Sequence, residues 1–332
     1  PRTSQRYRRR SSPEGGLSLI SPGDLIGVTG ATGFIGSSLC RRLLQQGFRV
    51  KALVRSPEKA TELRAQGAEL VAGSLSDADA LDRLVEGCSA VVHGAGAVRG
   101  SCQGDFDRVN VQGTAAVIKA VRSQDKPPRL LLLSSLAARE PQLSWYASSK
   151  RSGEDLLRGE ADLDWVILRP PAVYGPGDKE MLPVFEAMSR GIALVAGSSE
   201  ARISLVHVDD LVEAIIACLH RETTMRQTYT PSDGKPDGYD WHEMAAIAGA
   251  VWSRKVRLWT IPPWLLDMVA SLNLRLARLT GNAPMLTPAK LRELRHPDWI
   301  VDHRELTNDT GWQPETGLRT GLEQLRDSAL SP

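Results

Sequence analysis

Cysteine is scarce in this 332-residue chain: Cys40, Cys88, Cys102 and Cys218 are scattered, with no CxxC pair and no metal-ligand spacing. That scarcity excludes a disulfide framework, leaves no metal site to expect, and points to a reducing compartment, the cytoplasm. Long apolar runs are absent too. No stretch of 18 residues is both apolar and free of charge, so no membrane-spanning helix is expected. Nor does one sign of charge dominate: 41 Lys and Arg stand against 39 Asp and Glu, a net +2. Arg2, Arg6, Arg8, Arg9 and Arg10 crowd into the first twelve residues, and without them 36 basic residues face 39 acidic ones. A body of that balance offers no general electrostatic footprint for nucleic acid. What is present is ample apolar content, 42% of residues, enough to bury a sizeable core.

The Arg/Ser-rich start, ending in Ser-Ser-Pro-Glu-Gly-Gly, reads as a disordered basic arm over residues 1–22. An organelle-targeting remnant or a contact with an anionic surface shares that composition and stays open. From Asp24 onward strand and helix alternate. Leu25–Thr29, Phe48–Val54, Leu70–Ala72, Ala90–His93, Leu130–Leu133 and Trp165–Leu168 are short apolar runs. Amphipathic stretches such as Ala78–Glu86 and Gln112–Ser123 separate them. Apolar strands spaced by helices predict a parallel sheet covered on both faces, a doubly wound α/β fold of Rossmann type. There is no internal repeat. After Pro183 the pattern breaks up, with a Pro/Gly/Asp-rich loop (Thr230–Gly238) and Pro262-Pro263 interrupting it. Trp264–Leu279 is apolar at near-helical spacing; it reads as a core helix, or alternatively as a substrate wall or membrane-surface contact.

Gly30-Ala-Thr-Gly33-Phe-Ile-Gly36 lies between the first strand and the first helix. There the chemistry needs missing side chains: Gly30 for the tight turn, Gly33 for close approach of a pyrophosphate, Gly36 for helix–strand packing. The helix N-terminus supplies N–H groups and partial positive charge. At the end of the second strand an acidic side chain would hold a ribose 2′-OH. Here Val54 stands in that place, followed by Arg55, with Lys51 four residues earlier. A guanidinium grips a 2′-phosphate through two N–H groups, so NADP(H) is favoured over NAD(H), unless Arg55 is only a solvated strand-end charge.

Tyr146-Ala-Ser-Ser-Lys150 sets a phenol and an ammonium four residues apart, on one helix face. The ammonium, with an oxidised nicotinamide ring, is expected to lower the phenol's pKa toward neutrality. Ser135, just past the Leu130–Leu133 strand, is placed to hydrogen-bond the same substrate oxygen, or else to cap a helix. His93 and His207 read as packed or hydrogen-bonded rather than catalytic. Asp209-Asp210 reads as a helix-capping pair rather than a metal site. Trp145 is either a substrate-facing or an ordinary buried aromatic.

In this order, phosphate loop, strand-end serines and YxxxK, the chain resembles the extended short-chain dehydrogenase/reductase superfamily from about Leu25 to Leu325. Asn110-Val-Gln-Gly-Thr114 resembles its NVxGT segment, whose Asn helps hold the active site, so Asn110 joins Ser135, Tyr146 and Lys150 in the catalytic set the resemblance implies. Cofactor contacts are implied for Gly30, Thr32, Gly33, Phe34 and Ile35 in the loop, and for Arg55, Ser74 and Leu75. They are implied also for Gly94, Ala95 and Gly96 after the fourth strand, for Tyr146 and Lys150, and for Pro170 and Val173 in Leu168-Arg-Pro-Pro-Ala-Val-Tyr-Gly175. His207-Val-Asp-Asp210 and Gly311-Trp-Gln-Pro314 resemble further family signatures. The implied division is a cofactor-binding domain over 23–182 with 204–228 returning to it, and a substrate-binding domain over 183–203 and 229–332. A homodimer is the assembly that relatives suggest.

Three departures bear on the reaction. Ser74 stands where members often carry Asp. Ala172 stands where nucleotide-sugar epimerases place Asn, and Ile203 where they place Arg, with Arg202 one residue away. Leu136-Ala137 follows Ser135 where dehydratases carry acids. The wording is more similar to the branch of 3β-hydroxysteroid dehydrogenases and dihydroflavonol-reductase-like proteins. The expected function is therefore an NADP(H)-dependent oxidoreductase interconverting a secondary alcohol and a ketone on a fairly apolar small molecule. The alternatives are a nucleotide-sugar epimerase or dehydratase with tightly held cofactor, and a non-catalytic NADP-binding regulator.

Overall fold

The computed structural model describes residues 20–280 and 286–330. The greater part of the expected basic arm lies outside the described residues. From residue 24 the chain alternates as its apolar pattern predicts: β1 (Leu25–Thr29), α1 (Phe34–Gln45), β2 (Arg49–Val54), α2 (Thr61–Ala65), β3 (Glu69–Ala72), α3 (Ala78–Val85) and β4 (Ala90–His93). Then come α4 (Gln103–Asp107), α5 (Gly113–Arg122), β5 (Arg129–Leu133), α6 (Trp145–Arg158) and β6 (Trp165–Leu168). Shorter elements follow: β7 (Ala172–Tyr174), α7 (Leu182–Ser189), β8 (Ile192–Val195), β9 (Arg202–Ile203), β10 (Leu205–His207), α8 (Val208–His220) and β11 (Gln227–Tyr229). The remainder is α9 (Trp241–Val251), β12 (Arg257–Thr260), α10 (Pro263–Thr280), α11 (Pro288–Leu294), β13 (Asp298–Trp299), α12 (Arg304–Thr310) and α13 (Leu318–Leu330).

Seven strands form one parallel sheet in the order β11-β6-β5-β4-β1-β2-β3. The order reverses direction between β1 and β4, the switch point where ligands of open α/β sheets gather. Every residue of β1, β4, β5 and β6 is buried. Alternate side chains divide between two cores, because successive residues of a strand point to opposite faces. Leu131 and Leu133 of β5 meet Leu39, Leu43, Leu211, Ile215 and Leu219 from α1 and α8. Leu130 and Leu132 meet Leu81, Leu84, Val117, Val121 and Leu157 from α3, α5 and α6.

The chain leaves this sheet after β6 and comes back to it through β10, α8 and β11, the last pairing with β6. Around that return, small parallel pairs form: β7 with β10, β8 with β12, β9 with β13. A third core gathers Tyr174, Phe185, Met188, Met244, Ala248, Leu318 and Leu322. A small fourth one joins Leu266 and Ala270 of α10 to Leu291 of α11. The Asp209-Asp210 pair does not cap α8 as its position predicts. His207 does so, its Nδ1 accepting the Asp209 N–H at 3.4 Å. Asp210 instead accepts the N–H groups of Glu315 at 3.1 Å and Thr316 at 2.9 Å, tying down the segment ahead of α13. The difference follows from Asp210 lying on the buried face of α8, where a carboxylate needs partners from another segment.

Candidate active site

Parallel strands put all their C-terminal ends on one edge, so residues that follow different strands converge there. Gly30 follows β1, Arg55 follows β2, Ser74 comes after β3, Gly94–Gly96 follow β4, Ser135 comes after β5 and Pro170 after β6. The glycines of the first loop answer to measurable crowding. Gly30 has φ +74°, and a Cβ there would lie 2.6 Å from the Ala95 nitrogen. A Cβ on Gly36 would lie 2.1 Å from the Gly30 carbonyl oxygen. Gly33 is looser and solvent-exposed; it stands at the N-cap of α1, where no side chain caps the helix. The first turn thus leaves backbone N–H groups facing outward, the arrangement that suits a pyrophosphate. Thr32 beside it is exposed, while Phe34 and Ile35 are half-buried, Ile35 packing on the sheet core.

Thr29 stitches β1 to the turn after β4. Its hydroxyl accepts the Ala95 N–H at 3.2 Å and pairs with His93 Nδ1 at 2.6 Å. His93 Nε2 in turn meets the Thr114 hydroxyl at 3.2 Å. Burial, with the Lys150 charge nearby, pushes the His93 pKa down to about 3, so the ring stays neutral and structural. On the adenosine side, Val54 is buried and Arg55 is exposed, with no ion pair among the described residues. Lys51, grouped with Arg55 by spacing, turns elsewhere: its ammonium donates to the carbonyls of Arg83 at 3.0 Å and Glu86 at 2.9 Å, at the C-terminal end of α3. Ser74 pairs with the Ser76 hydroxyl at 2.9 Å, and Leu75 packs over Gly113. Pro170 is buried, its carbonyl accepting the Leu136 N–H at 2.9 Å, and Val173 packs against the sheet core.

Asn110 sits in a single π turn, Arg108–Gln112, that joins α4 to α5. The turn rotates its side chain into a bridge. Oδ1 accepts the Ala97 N–H at 2.8 Å, while Nδ2 donates to the Ala97 carbonyl at 3.0 Å and to the Ser149 hydroxyl at 2.9 Å. One amide thus locks the loop after β4 to α6, the helix of Tyr146 and Lys150. Gly153 lets α6 approach, since a Cβ there would lie 2.5 Å from the Asn110 carbonyl oxygen.

Lys150 is buried, its ammonium donating to the Leu133 carbonyl at 2.8 Å beside Gly96. Burial lowers its pKa to about 8, against the pull of the Glu154 carboxylate. Tyr146 is half-buried and lines a cleft. Burial pushes the phenol up to about 12, and the Ser135 hydroxyl beside it pulls the other way. The Lys150 ammonium keeps two N–H groups beyond the one given to the Leu133 carbonyl, and it lies one helical turn from Tyr146. Ser135 caps as its alternative reading expects: its hydroxyl accepts the Ala137 N–H at 3.2 Å, starting the next turn.

Several site residues carry no motif. Glu154, one turn beyond Lys150, is fully buried and receives Arg169 Nε at 2.8 Å, Arg169 Nη2 at 2.5 Å and the Ser134 hydroxyl at 2.5 Å. It ties α6 to the segment after β6; its i+4 spacing from Lys150 was the available signal. The shallow cleft beside Tyr146 is lined by Val98, Arg99, Phe106, Trp145, Thr287, Lys290 and Glu293 among others. Lys290 lies 5.8 Å from the centre of the Tyr146 ring. Glu293 pairs with Lys290 at 2.8 Å and with the Ser144 hydroxyl at the start of α6, so α11 is clamped to the catalytic helix. Among the described residues no cluster of His, Cys, Asp and Glu could hold a metal ion, and no helix is long and apolar enough to cross a membrane.

Comparison with known proteins places this architecture. A family model described as the NAD dependent epimerase/dehydratase family matches residues 26–229. A ceramide reductase of Caulobacter vibrioides is 39% identical over 304 residues, covering 91% of this chain and 93% of its own. A 2-alkyl-3-oxoalkanoate reductase of Stenotrophomonas maltophilia is 26% identical over 334 residues, covering 92% and 99%. Among solved structures, the UDP-glucuronic acid 4-epimerase of Bacillus cereus, in complex with UDP-glucuronic acid and NAD, superposes with a TM-score of 0.70 at 18% identity, over 91% of this chain and 98% of that one. With its parallel sheet, switch-point glycines and full-length reductase relatives, the chain belongs to the NAD-dependent epimerase/dehydratase family, within the extended short-chain dehydrogenases/reductases, and is an NAD(P)-dependent oxidoreductase.

Proposed function

We propose that this chain reduces a ketone to a secondary alcohol with NADPH, on a largely apolar, lipid-like substrate. One arrangement carries the reading: the Tyr146 phenol lines a cleft, with the Ser135 hydroxyl beside it and the Lys150 ammonium one turn along the same helix. In the reductive direction the acid must hold its proton until negative charge builds on the carbonyl oxygen, and such a phenol does so. The bound dinucleotide would supply the hydride. Tyr146 delivers its proton to the carbonyl oxygen, Ser135 donates a hydrogen bond to it, and the Lys150 ammonium stabilises the phenolate left behind. Asn110 positions both neighbours of this set.

Residues 23–182 with 204–228 act in this reading as the cofactor-binding unit, and 183–203 with 229–332 as the substrate-binding unit. Buried Val54 and exposed, unengaged Arg55 support a 2′-phosphate site and hence NADP(H). Similarity to proteins named as reductases of a ceramide and of an alkyl-oxoalkanoate supports carbonyl reduction on a lipid-like molecule. A nucleotide-sugar substrate is less well served. Arg202, nearest to the epimerases' arginine, is occupied by the Asp237 carbonyl at 3.0 Å and by Glu243 at 3.4 Å.

The test is a Tyr146→Phe variant assayed with NADPH and long-chain 3-oxo substrates. Turnover should fall by about 10²–10⁴. The NADPH-induced rise in melting temperature should persist, and should exceed that given by NADH at equal concentration. A variant that keeps most of its turnover would overturn the proposal.

A further inference from the structure

The C-terminal part exposes an apolar face that no described residue covers. Trp259 on β12 is 60% exposed, Trp264 at the start of α10 67%, and Met268 and Leu272, each one turn further, 55%. Leu194, 52% exposed, lies beside Trp259 in the β8–β12 register. Spacing of four along α10 sets Trp264, Met268 and Leu272 on one side of the helix, while Leu266 and Ala270 are buried on the other. Monomer surfaces rarely carry so many large apolar side chains together without a partner.

Charge identifies the partner. Residues 251–296 contain eight Lys and Arg against two acids, Asp267 and Glu293, in a chain whose whole net charge is +2. Both acids are already paired, Asp267 with Arg295 at 2.8 Å and Glu293 with Lys290 at 2.8 Å. Arg254, Lys255, Arg257 and Arg275 are exposed and make no ion pair among the described residues. Tryptophans and aliphatic side chains bordered by unpaired cations match the boundary of an anionic bilayer, where apolar groups enter and cations meet headgroup phosphates. Since no described helix can cross a membrane, α10 would lie in the plane of the surface.

We propose that α10 and the neighbouring β12 dock this protein on an anionic lipid bilayer. The buried side of α10 packs on Leu291 of α11, and α11 carries Lys290 and Glu293 into the cleft beside Tyr146. Docking therefore holds the cleft one helix away from the lipid, a position suited to taking a membrane-dissolved ketone. That last consequence rests on the proposed function; the docking itself does not.

The test is cosedimentation of the full chain, without cofactor or substrate, with phosphatidylcholine vesicles and with vesicles containing equal parts of phosphatidylglycerol. The chain should bind the anionic vesicles, release at high salt, and stay in solution with the neutral ones. Trp264→Ser with Leu272→Ser, both at exposed positions, should weaken binding by about tenfold or more at an unchanged melting temperature. Arg254→Gln with Lys255→Gln and Arg257→Gln should do the same. A chain that ignores all vesicles overturns the proposal. So does binding that survives these substitutions but vanishes when the five arginines of residues 1–10 become Gln. A face that proves to join two copies, with the Trp264→Ser/Leu272→Ser variant turning a dimer into a monomer and no vesicle binding, overturns it as well. Vesicle binding by a chain inactive on ketones would refute the proposed function and leave the docking in place.

Discussion

At the scale of single residues, the site is governed by what each charged group touches. Lys150 has a pKa near 8 because burial penalises its ammonium, and Glu154 keeps it from falling further. Tyr146, near 12, stays protonated across the same range. Ketone reduction should therefore be level in kcat/KM below about pH 8 and fall about tenfold per unit above it, as Lys150 loses its proton. Lys150→Arg, which keeps its charge, should retain reduced turnover without that limb. A profile that bends first near pH 10 would show that another group controls the step. The YxxxK pair was legible from spacing alone, since i and i+4 share a helix face. The state of the phenol was not, because it depends on how deeply the fold buries it and on the Ser135 hydroxyl beside it.

At the scale of elements, the first βα unit shows how a motif turns into geometry. The three glycines were readable because each meets a different physical demand, and the structure separates those demands by distance. Gly36→Ala would drive a methyl to 2.1 Å from the Gly30 carbonyl, backbone that cannot swing aside. It should cost about 1–3 kcal/mol of stability or more and abolish cofactor binding. Gly33→Ala meets that carbonyl only at 3.2 Å and should fold normally while weakening the cofactor, as thermal shifts with and without NADPH would show. Equal damage from both would contradict this assignment. Other element-level features left little trace in the sequence. The π turn that aims Asn110 depends on α6 pressing in through Gly153, a contact forty residues away.

At the scale of the whole molecule, two buried histidines join segments distant along the chain. His93 bridges Thr29 and Thr114, and His207 packs edge-on to Tyr174. Burial lowers the pKa of each, that of His93 to about 3. With the folded pKa below the unfolded one, the stability each neutral ring contributes is fully present above about pH 6.5 and is lost as pH falls toward the folded value. For His93 the slope is about 1.4 kcal/mol per pH unit, so about 2–3 kcal/mol should be gone by pH 4.5. Urea midpoints between pH 7 and 4.5 should fall accordingly, and His93→Gln should flatten part of the slope. Midpoints independent of pH over that window would mean the rings are solvated.

By itself, the sequence determined the doubly wound sheet and the strand ends where the candidate site gathers, and it singled out the glycine-rich loop and Ser135, Tyr146 and Lys150 as candidates. These follow from local periodicity, from missing side chains and from the rule that parallel strands end on one edge. Only the tertiary structure decided that Lys51 serves α3 and not a phosphate, that Asp210 holds the segment ahead of α13, and that Glu154 braces Arg169. It also decided that Lys290 and Glu293 close the cleft. Lys51, Asp210, Glu154 and Glu293 are each buried and take partners that packing brings within hydrogen-bond reach from distant segments, a choice that no local spacing encodes.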